Sequence, residues 1–276
     1  MKQTQTSTKL QLSYSKINTF LHCRKKYYFN YEEKLIPKES TIPLQVGDIV
    51  HQLLHKHYMK ELDLKIIENL DEHVKRIHHN ENEEINFEVA QQAASLFTQY
   101  LKTHEPDFLK VISSEFWCEV ELSNCILVGK VDALAKDVEG KLWRVEHKTA
   151  SRVDNAYLQG LKHGLQGAIY DYLVSNLISE RLQGTIYNML VKTKIPKFPR
   201  VPNLINPSLQ VQMLQTVKGV ADSIERCKQN DEYYPSCSCF LYGRECDYRP
   251  LCNFDSAEVR KAFYKPKEEA HERGTL

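Results

Sequence analysis

The stretch from Gly129 to Ser151 constrains the fold more than any other part of the chain, because it predicts a β-hairpin. Two runs rich in Val, Leu, Ala and Trp flank Val138-Glu139-Gly140, which suits a three-residue loop with Gly at the position that needs positive φ. Pairing counted outward from this loop places Asp132 directly opposite Glu146. Side chains alternate along a strand, so Lys148 shares the face of Glu146. We therefore expect two carboxylates and one ammonium group on a single face.

Two carboxylates at opposite positions of a sheet repel each other. At ~4 Å the repulsion is about 1 kcal/mol in water and ~4 kcal/mol at an effective protein dielectric. A bound divalent cation would offset the repulsion between the two carboxylates, and carboxylate oxygens suit Mg²⁺ or Mn²⁺. With a lysine to orient the nucleophile, such a site suits phosphodiester hydrolysis. The same residues also fit an exposed edge hairpin with solvated charges, so the segment alone leaves both interpretations open.

The formal net charge of +1 does not indicate a polyanionic partner, so any nucleic-acid surface must be local. Two segments qualify, namely the basic and aromatic run His22–Tyr28 and the basic loop Lys192–Arg200. Each also fits an ordinary solvated surface. The polar start MKQTQTSTK has no hydrophobic signal region, and no run of about 18 apolar residues exists, so we expect no signal peptide and no membrane span.

The chain has eight cysteines, and their distribution is uneven. Without an export signal this number argues against a disulfide framework and for a reduced, cytoplasmic compartment. Cys23 stands alone near the N-terminus. Four others crowd the segment PSCSCFLYGRECDYRPLC, which suggests a metal or cluster site rather than isolated buried thiols.

Hydrophobic periodicity predicts an α/β protein with a mixed central sheet flanked by helices. The expected elements are a helix capped by Ser15, a helix from Leu44, a helical insertion at about 61–104, strands over 111–149, one helix over Ala156–Ile178, a strand over Gly184–Lys192, a basic loop over 193–207 and a helix over Leu209–Gln229. We find no linker, so we expect a single domain over 1–276, with a cysteine-cluster segment at about 233–254.

Four motifs occur in a defined order along the chain. They are Gly47–His51 as GxxxH, Gly129–Asp132 with its terminal Asp, Glu146–Lys148 as ExK, and Gln166–Tyr170 as QxxxY. In this order they resemble the PD-(D/E)XK nucleases, in particular the RecB-type branch that carries an iron–sulfur cluster and includes CRISPR-associated and AddB-like exonucleases. The resemblance covers most of the chain and implies a restriction-endonuclease-like core.

The resemblance implies a metal site. Asp132 and Glu146, together with His51 and the backbone at His147, would hold Mg²⁺ or Mn²⁺. Taken alone, His51 also fits a helix histidine with an ordinary hydrogen-bond partner.

The resemblance also implies roles for three residues around this metal site. Lys148 would position the attacking water, and Gln166 and Tyr170 would orient the scissile strand. Without the resemblance, a Gln/Tyr pair at i and i+4 fits any helix face. Glu115 and Glu119 precede the Asp132 strand. One of them could supply an accessory carboxylate, but charged strand residues are usually solvent-facing, so we assign neither to the site.

The cysteine pattern fits the same branch. The resemblance assigns Cys23, Cys239, Cys246 and Cys252 to a [4Fe–4S] cluster, with Cys237 as an alternative to Cys239. Such a cluster would close a loop of more than 200 residues, so we expect it to be structural. A Cys₄ zinc site is the competing interpretation.

These features predict a metal-dependent DNA nuclease, expected to be an exonuclease on single-stranded DNA or duplex ends. The residues expected to hold DNA phosphates by salt-sensitive contacts are Arg24, Lys25, Lys26, Lys192 and Lys194. Recombination, repair, phage DNA processing and CRISPR adaptation all use such enzymes, and a helicase or other partner would be a separate chain. The alternatives are a catalytically silent or complex-dependent DNA-binding subunit, and a zinc-stabilised nucleic-acid-binding module without a nuclease fold.

Overall fold

A computed structural model describes residues 9–38, 42–62, 87–236, 239–241 and 244–267. The strands in these ranges are β1 (Leu10–Ser13), β2 (Leu35–Pro37), β3 (Lys110–Glu121), β4 (Cys125–Lys136), β5 (Leu142–Ala150), β6 (Leu182–Val191), β7 (Arg200–Leu204), β8 (Phe240–Leu241), β9 (Arg244–Glu245) and β10 (Tyr264–Pro266). The helices are α1 (Tyr14–His22), α2 (Arg24–Tyr27), a π-helical turn (Tyr28–Glu32), α3 (Ile42–Tyr58), α4 (Phe87–Thr103), α5 (Asn155–Lys162), α6 (Leu165–Leu177), α7 (Pro207–Asn230), α8 (Arg249–Asn253) and α9 (Ala257–Phe263).

The predicted mixed sheet flanked by helices is confirmed. Its strand order is β1-β4-β5-β6-β7, and β3 also pairs with β4. The pairs β1–β4 and β5–β6 are parallel, whereas β4–β5 and β6–β7 are antiparallel. Among the helices of the described ranges, none is both long enough and apolar enough to cross a membrane.

The predicted hairpin is formed by β4 and β5 in the predicted register. Lys136 pairs with Leu142, and the ladder continues to Ala133 opposite Val145. Gly140 has a φ of 76°, the left-handed conformation that the loop requires. Local loop chemistry therefore set the pairing of the two strands.

The chain divides into two compact units. One comprises Ser40–Cys118 and Lys130–Asn206, and it contains the hairpin from Lys130 onward. Helices α3 and α4 pack together in an apolar cluster of this unit. A Cβ atom on Gly47 of α3 would lie 3.0 Å from the Thr149 hydroxyl oxygen on β5, so this close approach favours glycine.

The other unit comprises Met1–Glu39, Glu119–Gly129 and Pro207–Leu276. Its aromatic cluster is built on Phe29, Tyr248, Leu251 and Tyr264. Strand β10 pairs antiparallel with β2, and the Tyr248 hydroxyl donates to the carbonyl of Leu35 at 2.7 Å. These contacts join the segments at the two ends of the chain.

Several predicted elements are wrong in detail. The single helix over Ala156–Ile178 is two helices, because the chain leaves the helix at His163 and Gly164 becomes the N-cap of α6. The first helix is capped by Ser13 rather than Ser15, and the loop over 193–207 contains β7. Of the helical insertion at 61–104, α4 is observed and 63–86 lie outside the described residues. The single-domain assignment stays a prediction.

Candidate active site

Three side chains from three elements meet beside the hairpin. Asp132 lies on β4, His51 on α3 and Glu115 on β3. Their ligand atoms all lie within 4.8 Å of one another, with His51 Nδ1 at 3.7 Å from Asp132 Oδ2. All three residues are half-buried. Two carboxylates and an imidazole at this spacing are a suitable donor set for a divalent cation.

Glu115 reaches this group through an irregular backbone conformation. Its φ is 56°, which is uncommon for a residue with a side chain. Its carboxylate also contacts the Lys130 ammonium at 2.5 Å, and its side chain is only 17% exposed. Of the two interpretations of Glu115, the position beside Asp132 fits the accessory carboxylate and not the solvent-facing charge, because strand alternation does not hold at such a distorted residue.

Glu146 has both of its oxygens occupied by other side chains. Arg144 Nη1 donates to Oε2 at 2.5 Å, and Lys148 Nζ donates to Oε1 at 2.7 Å. Gln166 bridges this pair, since its Nε2 donates to Glu146 Oε1 at 3.2 Å and its Oε1 accepts from Lys148 at 3.0 Å. Glu146, Lys148 and Gln166 thus lie together as the motifs indicated, while the compact ligand group comprises His51, Glu115 and Asp132.

The pKa values of the two predicted carboxylates are shifted in opposite directions. Burial and the nearby Glu146 charge raise the pKa of Asp132 to about 7. Burial would also raise the pKa of Glu146, but Lys148 and Arg144 outweigh it and lower this pKa to about 2. Burial disfavours the charged form of Lys148, yet Glu146 raises its pKa overall. Glu146 and Lys148 are therefore both charged at neutral pH, whereas a nearby cation would favour the ionised form of Asp132.

His147 acts on the site through its backbone. Its N–H donates to Asp132 Oδ2 at 2.8 Å and orients that carboxylate. Its buried imidazole contacts the Asn188 side chain at 2.8 Å, and burial keeps the pKa of this ring well below its usual value. The metal-binding role of the His147 backbone stays a prediction.

Tyr170 packs against Arg144, and Arg144 contacts Glu146. The Arg144 guanidinium carbon lies 5.4 Å from the centre of the Tyr170 ring, and burial raises the pKa of the phenol. Arg144 itself was not singled out from the sequence. Its position two residues before Glu146 on a strand, and hence on the same face, was the available signal.

The four predicted cluster cysteines line one cavity of about 410 Å³. They are Cys23, Cys239, Cys246 and Cys252, whereas Cys237 lies outside the described residues. Burial raises the pKa of the Cys252 thiol, and the other three thiols raise it further, so all four are electrostatic neighbours. Backbone N–H groups of Lys26 and Ser236 also point at the Cys23 sulfur, at 3.4 and 3.5 Å.

The spacing of these thiols bears on the metal they suit. Tetrahedral zinc with Zn–S bonds of about 2.3 Å holds its sulfur atoms about 3.8 Å apart. In the described part of the chain, no three of the four cysteine sulfurs lie within 4.8 Å of one another. The four sulfurs are therefore not at the mutual spacing of the ligands of a single zinc ion.

The predicted DNA-binding side chains have varied surroundings. Arg24 lies over the ring of Phe20, Lys25 over the ring of Tyr28, and Lys26 at 3.7 Å from a carboxylate oxygen of Asp247. Lys192 is half-buried, which lowers its pKa, and Lys194 is exposed. Their role in DNA binding stays a prediction.

Comparisons with known proteins agree with this geometry. A sequence model of the PD-(D/E)XK nuclease superfamily matches residues 11–253. A solved structure from Eubacterium rectale, described as "Putative exonuclease", has a TM-score of 0.56 at 15% identity, and the match covers 88% of this chain and 94% of that chain. At this identity the likeness shows a shared fold alone. A second solved structure, SSO0001, has a TM-score of 0.31 at 13% identity, and the match covers 64% of this chain and 86% of that chain. This similarity is too low to support a shared fold. No curated protein matches the chain.

Proposed function

Because the chain belongs to the PD-(D/E)XK nuclease superfamily, we propose that it is a metal-dependent DNA nuclease acting on single strands or duplex ends. The observation that carries this proposal is one constellation of side chains. Two carboxylates and an imidazole lie within ligand distance of one another, and the same hairpin holds a charged lysine against a glutamate. This combination can bind a divalent cation and present an ammonium group to a phosphodiester.

Each residue of the site has a defined role in this proposal. Asp132, His51 and Glu115 would hold Mg²⁺ or Mn²⁺. When bound, such a cation would polarise the scissile phosphate and favour hydroxide over water at neutral pH. Lys148, kept charged by Glu146, would orient the nucleophile and stabilise the negative charge that develops on the phosphate. Glu146, which the resemblance also assigns to the cation, would in addition orient Lys148.

The proposed substrate is a DNA end. DNA ends are favoured because the motif order resembles RecB-type exonucleases and because the Eubacterium rectale neighbour is described as an exonuclease. Gln166 and Tyr170 would orient the scissile strand, and the basic side chains would hold flanking phosphates. Recombination, repair, phage DNA processing or CRISPR adaptation, with a separate helicase or adaptation partner, would supply such ends.

Cleavage of DNA should require the divalent cation. We expect the protein to degrade end-labelled single-stranded or duplex DNA with Mg²⁺ or Mn²⁺ and to stop when EDTA is added. Glu115→Gln should raise the Mn²⁺ concentration for half-maximal cleavage by about 10- to 100-fold, because a ligand charge is lost. Glu119→Gln, at an exposed position of the same strand, is the matched control. DNA binding without cleavage at any metal concentration would favour the catalytically silent or complex-dependent subunit.

We also propose that the four-cysteine cavity holds a [4Fe–4S] cluster in a structural role. The protein purified without oxygen should then contain iron and absorb light near ~400 nm. Cys252→Ser and Cys246→Ser should lose iron, whereas Cys118→Ser, at a buried thiol outside this cavity, should retain it. Comparing Cys237→Ser with Cys239→Ser would identify the second ligand. A colourless protein with stoichiometric zinc would contradict the assignment.

A further inference from the structure

His147 contacts two of the three residues that form the compact ligand group. Its backbone N–H donates to Asp132 Oδ2 at 2.8 Å, and its imidazole packs nearly perpendicular to the ring of His51, with 5.7 Å between the ring centres. The Tyr58 ring stacks on the same imidazole, with 5.8 Å between centres. The position of His147 therefore helps to set the positions of both Asp132 and His51.

Asn188 of β6 holds the imidazole of His147. The two residues are register partners in the parallel β5–β6 ladder, and Asn188 Nδ2 lies 2.8 Å from His147 Nδ1. Asn188 Oδ1 accepts from Arg200 Nε at 3.2 Å. Because a guanidinium can only donate, it fixes the amide with its oxygen toward Arg200 and its NH₂ group toward His147. His147 Nδ1 is then the acceptor, and the neutral ring carries its proton on Nε2.

A buried network anchors this amide in turn. Arg200 forms a two-pronged ion pair with Asp107, at 2.5 and 2.7 Å, and its Nη2 donates to the Tyr100 hydroxyl at 2.7 Å. The Tyr100 oxygen also accepts from Asn188 Nδ2 at 3.0 Å, so its own proton is available to the Tyr58 hydroxyl at 3.3 Å. Charge-assisted hydrogen bonds with fixed directions hold the members of such a network in one arrangement.

We infer that Asn188 is a positioning residue for the proposed metal site. It holds the His147 ring in place, and through His147 it orients Asp132 by a hydrogen bond and His51 by ring packing. Ligands that are already in place lose less freedom when a cation binds, so this arrangement raises the affinity for the metal. Arg200 keeps the Asn188 amide in the orientation that suits His147. The inference rests on the proposed function, because it takes His51 and Asp132 as ligands of the cation.

Calorimetric titration of the metal-free protein with Mn²⁺ tests the inference without relying on cleavage. Asn188→Leu has a similar volume but cannot form a hydrogen bond with His147 or Arg200, so its affinity for Mn²⁺ should fall by about 10- to 100-fold. Tyr58→Phe is the matched control, because it removes one hydrogen bond of the same network and keeps the ring that stacks on His147. Its Mn²⁺ affinity should stay within about twofold of that of wild type.

A double-mutant cycle separates positioning from a general loss of stability. His147→Phe keeps a ring at this position but removes the nitrogen that Asn188 contacts, so it should also weaken Mn²⁺ binding by about tenfold or more. Adding Asn188→Leu to His147→Phe should have no further effect, because Asn188 acts on the ligands through that nitrogen. A residue with only a structural role would weaken binding equally in both backgrounds. His147→Phe alone tests the inference if Asn188→Leu does not fold.

The possible outcomes are distinguishable. Wild-type Mn²⁺ affinity in Asn188→Leu or in His147→Phe would overturn the inference, as would an equal loss in Tyr58→Phe or fully additive losses in the double variant. If the wild-type protein binds Mn²⁺ but does not cleave DNA, the proposed nuclease function fails, and the titrations still measure the effect of Asn188 on the metal site. Absence of Mn²⁺ binding by the wild-type protein would overturn both.

Discussion

Replacing Lys148 with alanine is expected to lower the rate of DNA cleavage by about 10²- to 10⁴-fold. The Lys148 ammonium lies 2.7 Å from Glu146 and 3.0 Å from Gln166, and its raised pKa keeps it charged at neutral pH. In the proposed mechanism this ammonium group stabilises the charge that develops on the phosphate. The measurement is the initial rate of cleavage of end-labelled DNA at saturating Mg²⁺ or Mn²⁺.

The fold should survive this change, because Arg144 and Gln166 still contact Glu146. Loss of a hydrogen bond to a charged group lowers the free energy of unfolding by about 1.5–3 kcal/mol, which thermal unfolding would detect. Lys141→Ala is the matched control, since Lys141 is an exposed lysine on the same hairpin and pairs with Glu139. If Lys148→Ala and Lys141→Ala cleave DNA at equal rates, Lys148 has no part in hydrolysis.

Replacing Asp132 with asparagine should affect activity and stability in opposite directions. The cation would lose a ligand charge, so cleavage should fall by more than about 10²-fold. The metal-free protein should become more stable at pH 8, because a buried carboxylate with a pKa near 7 is costly to ionise. Asparagine has nearly the same shape and can still accept the hydrogen bond from the His147 backbone.

The pH dependence follows from the raised pKa of Asp132. Between pH 4 and 7, the unfolded chain has released this proton while the folded protein retains it, so stability falls as pH rises. The full penalty is present above pH 7, and at about 1.4 kcal/mol per pKa unit it is on the order of 2–4 kcal/mol. Asp132→Asn removes this penalty, so its stabilising effect should be present at pH 8 and absent at pH 4.

Denaturant unfolding of the metal-free proteins at pH 4 and pH 8 would measure this effect. Asp137→Asn is the control, because Asp137 lies on the same hairpin but accepts a hydrogen bond from the Trp143 indole, which lowers its pKa. That variant should lose stability at pH 8 and keep its nuclease activity. If metal-free Asp132→Asn is less stable than metal-free wild type at pH 8, then ionisation of Asp132 does not destabilise the folded protein.

The hairpin illustrates how much of this molecule was predictable. Its register follows from a loop with glycine at the left-handed position and from two strands adjacent in sequence, so only local rules were needed. The alternation of strand side chains likewise predicted that Glu146 and Lys148 would meet. Gln166 was placed beside them because its motif follows theirs in a known order.

Other parts depended on contacts that local patterns do not encode. Glu115 left the expected alternation because its backbone adopts a left-handed φ, which is rare for glutamate. The sequence pattern did not distinguish Arg144 from other charged strand residues. Its contact with Asp171, which lies on a separate helix, depends on the tertiary fold. Helix periodicity predicted one helix across residues 156–178, but the chain turns at Gly164.

The sequence by itself determined the superfamily, the hairpin, the lysine beside Glu146 and the grouping of the four cysteines. Each of these depends on residue types at fixed spacing, which a linear pattern preserves. Only the tertiary structure decided which side chains surround each of these carboxylates. Glu146 is engaged by Arg144 and Lys148, whereas Asp132 is gathered with His51 and Glu115 from distant segments. A buried charge takes its role from the partners that folding brings to it, and those partners are far apart in the sequence.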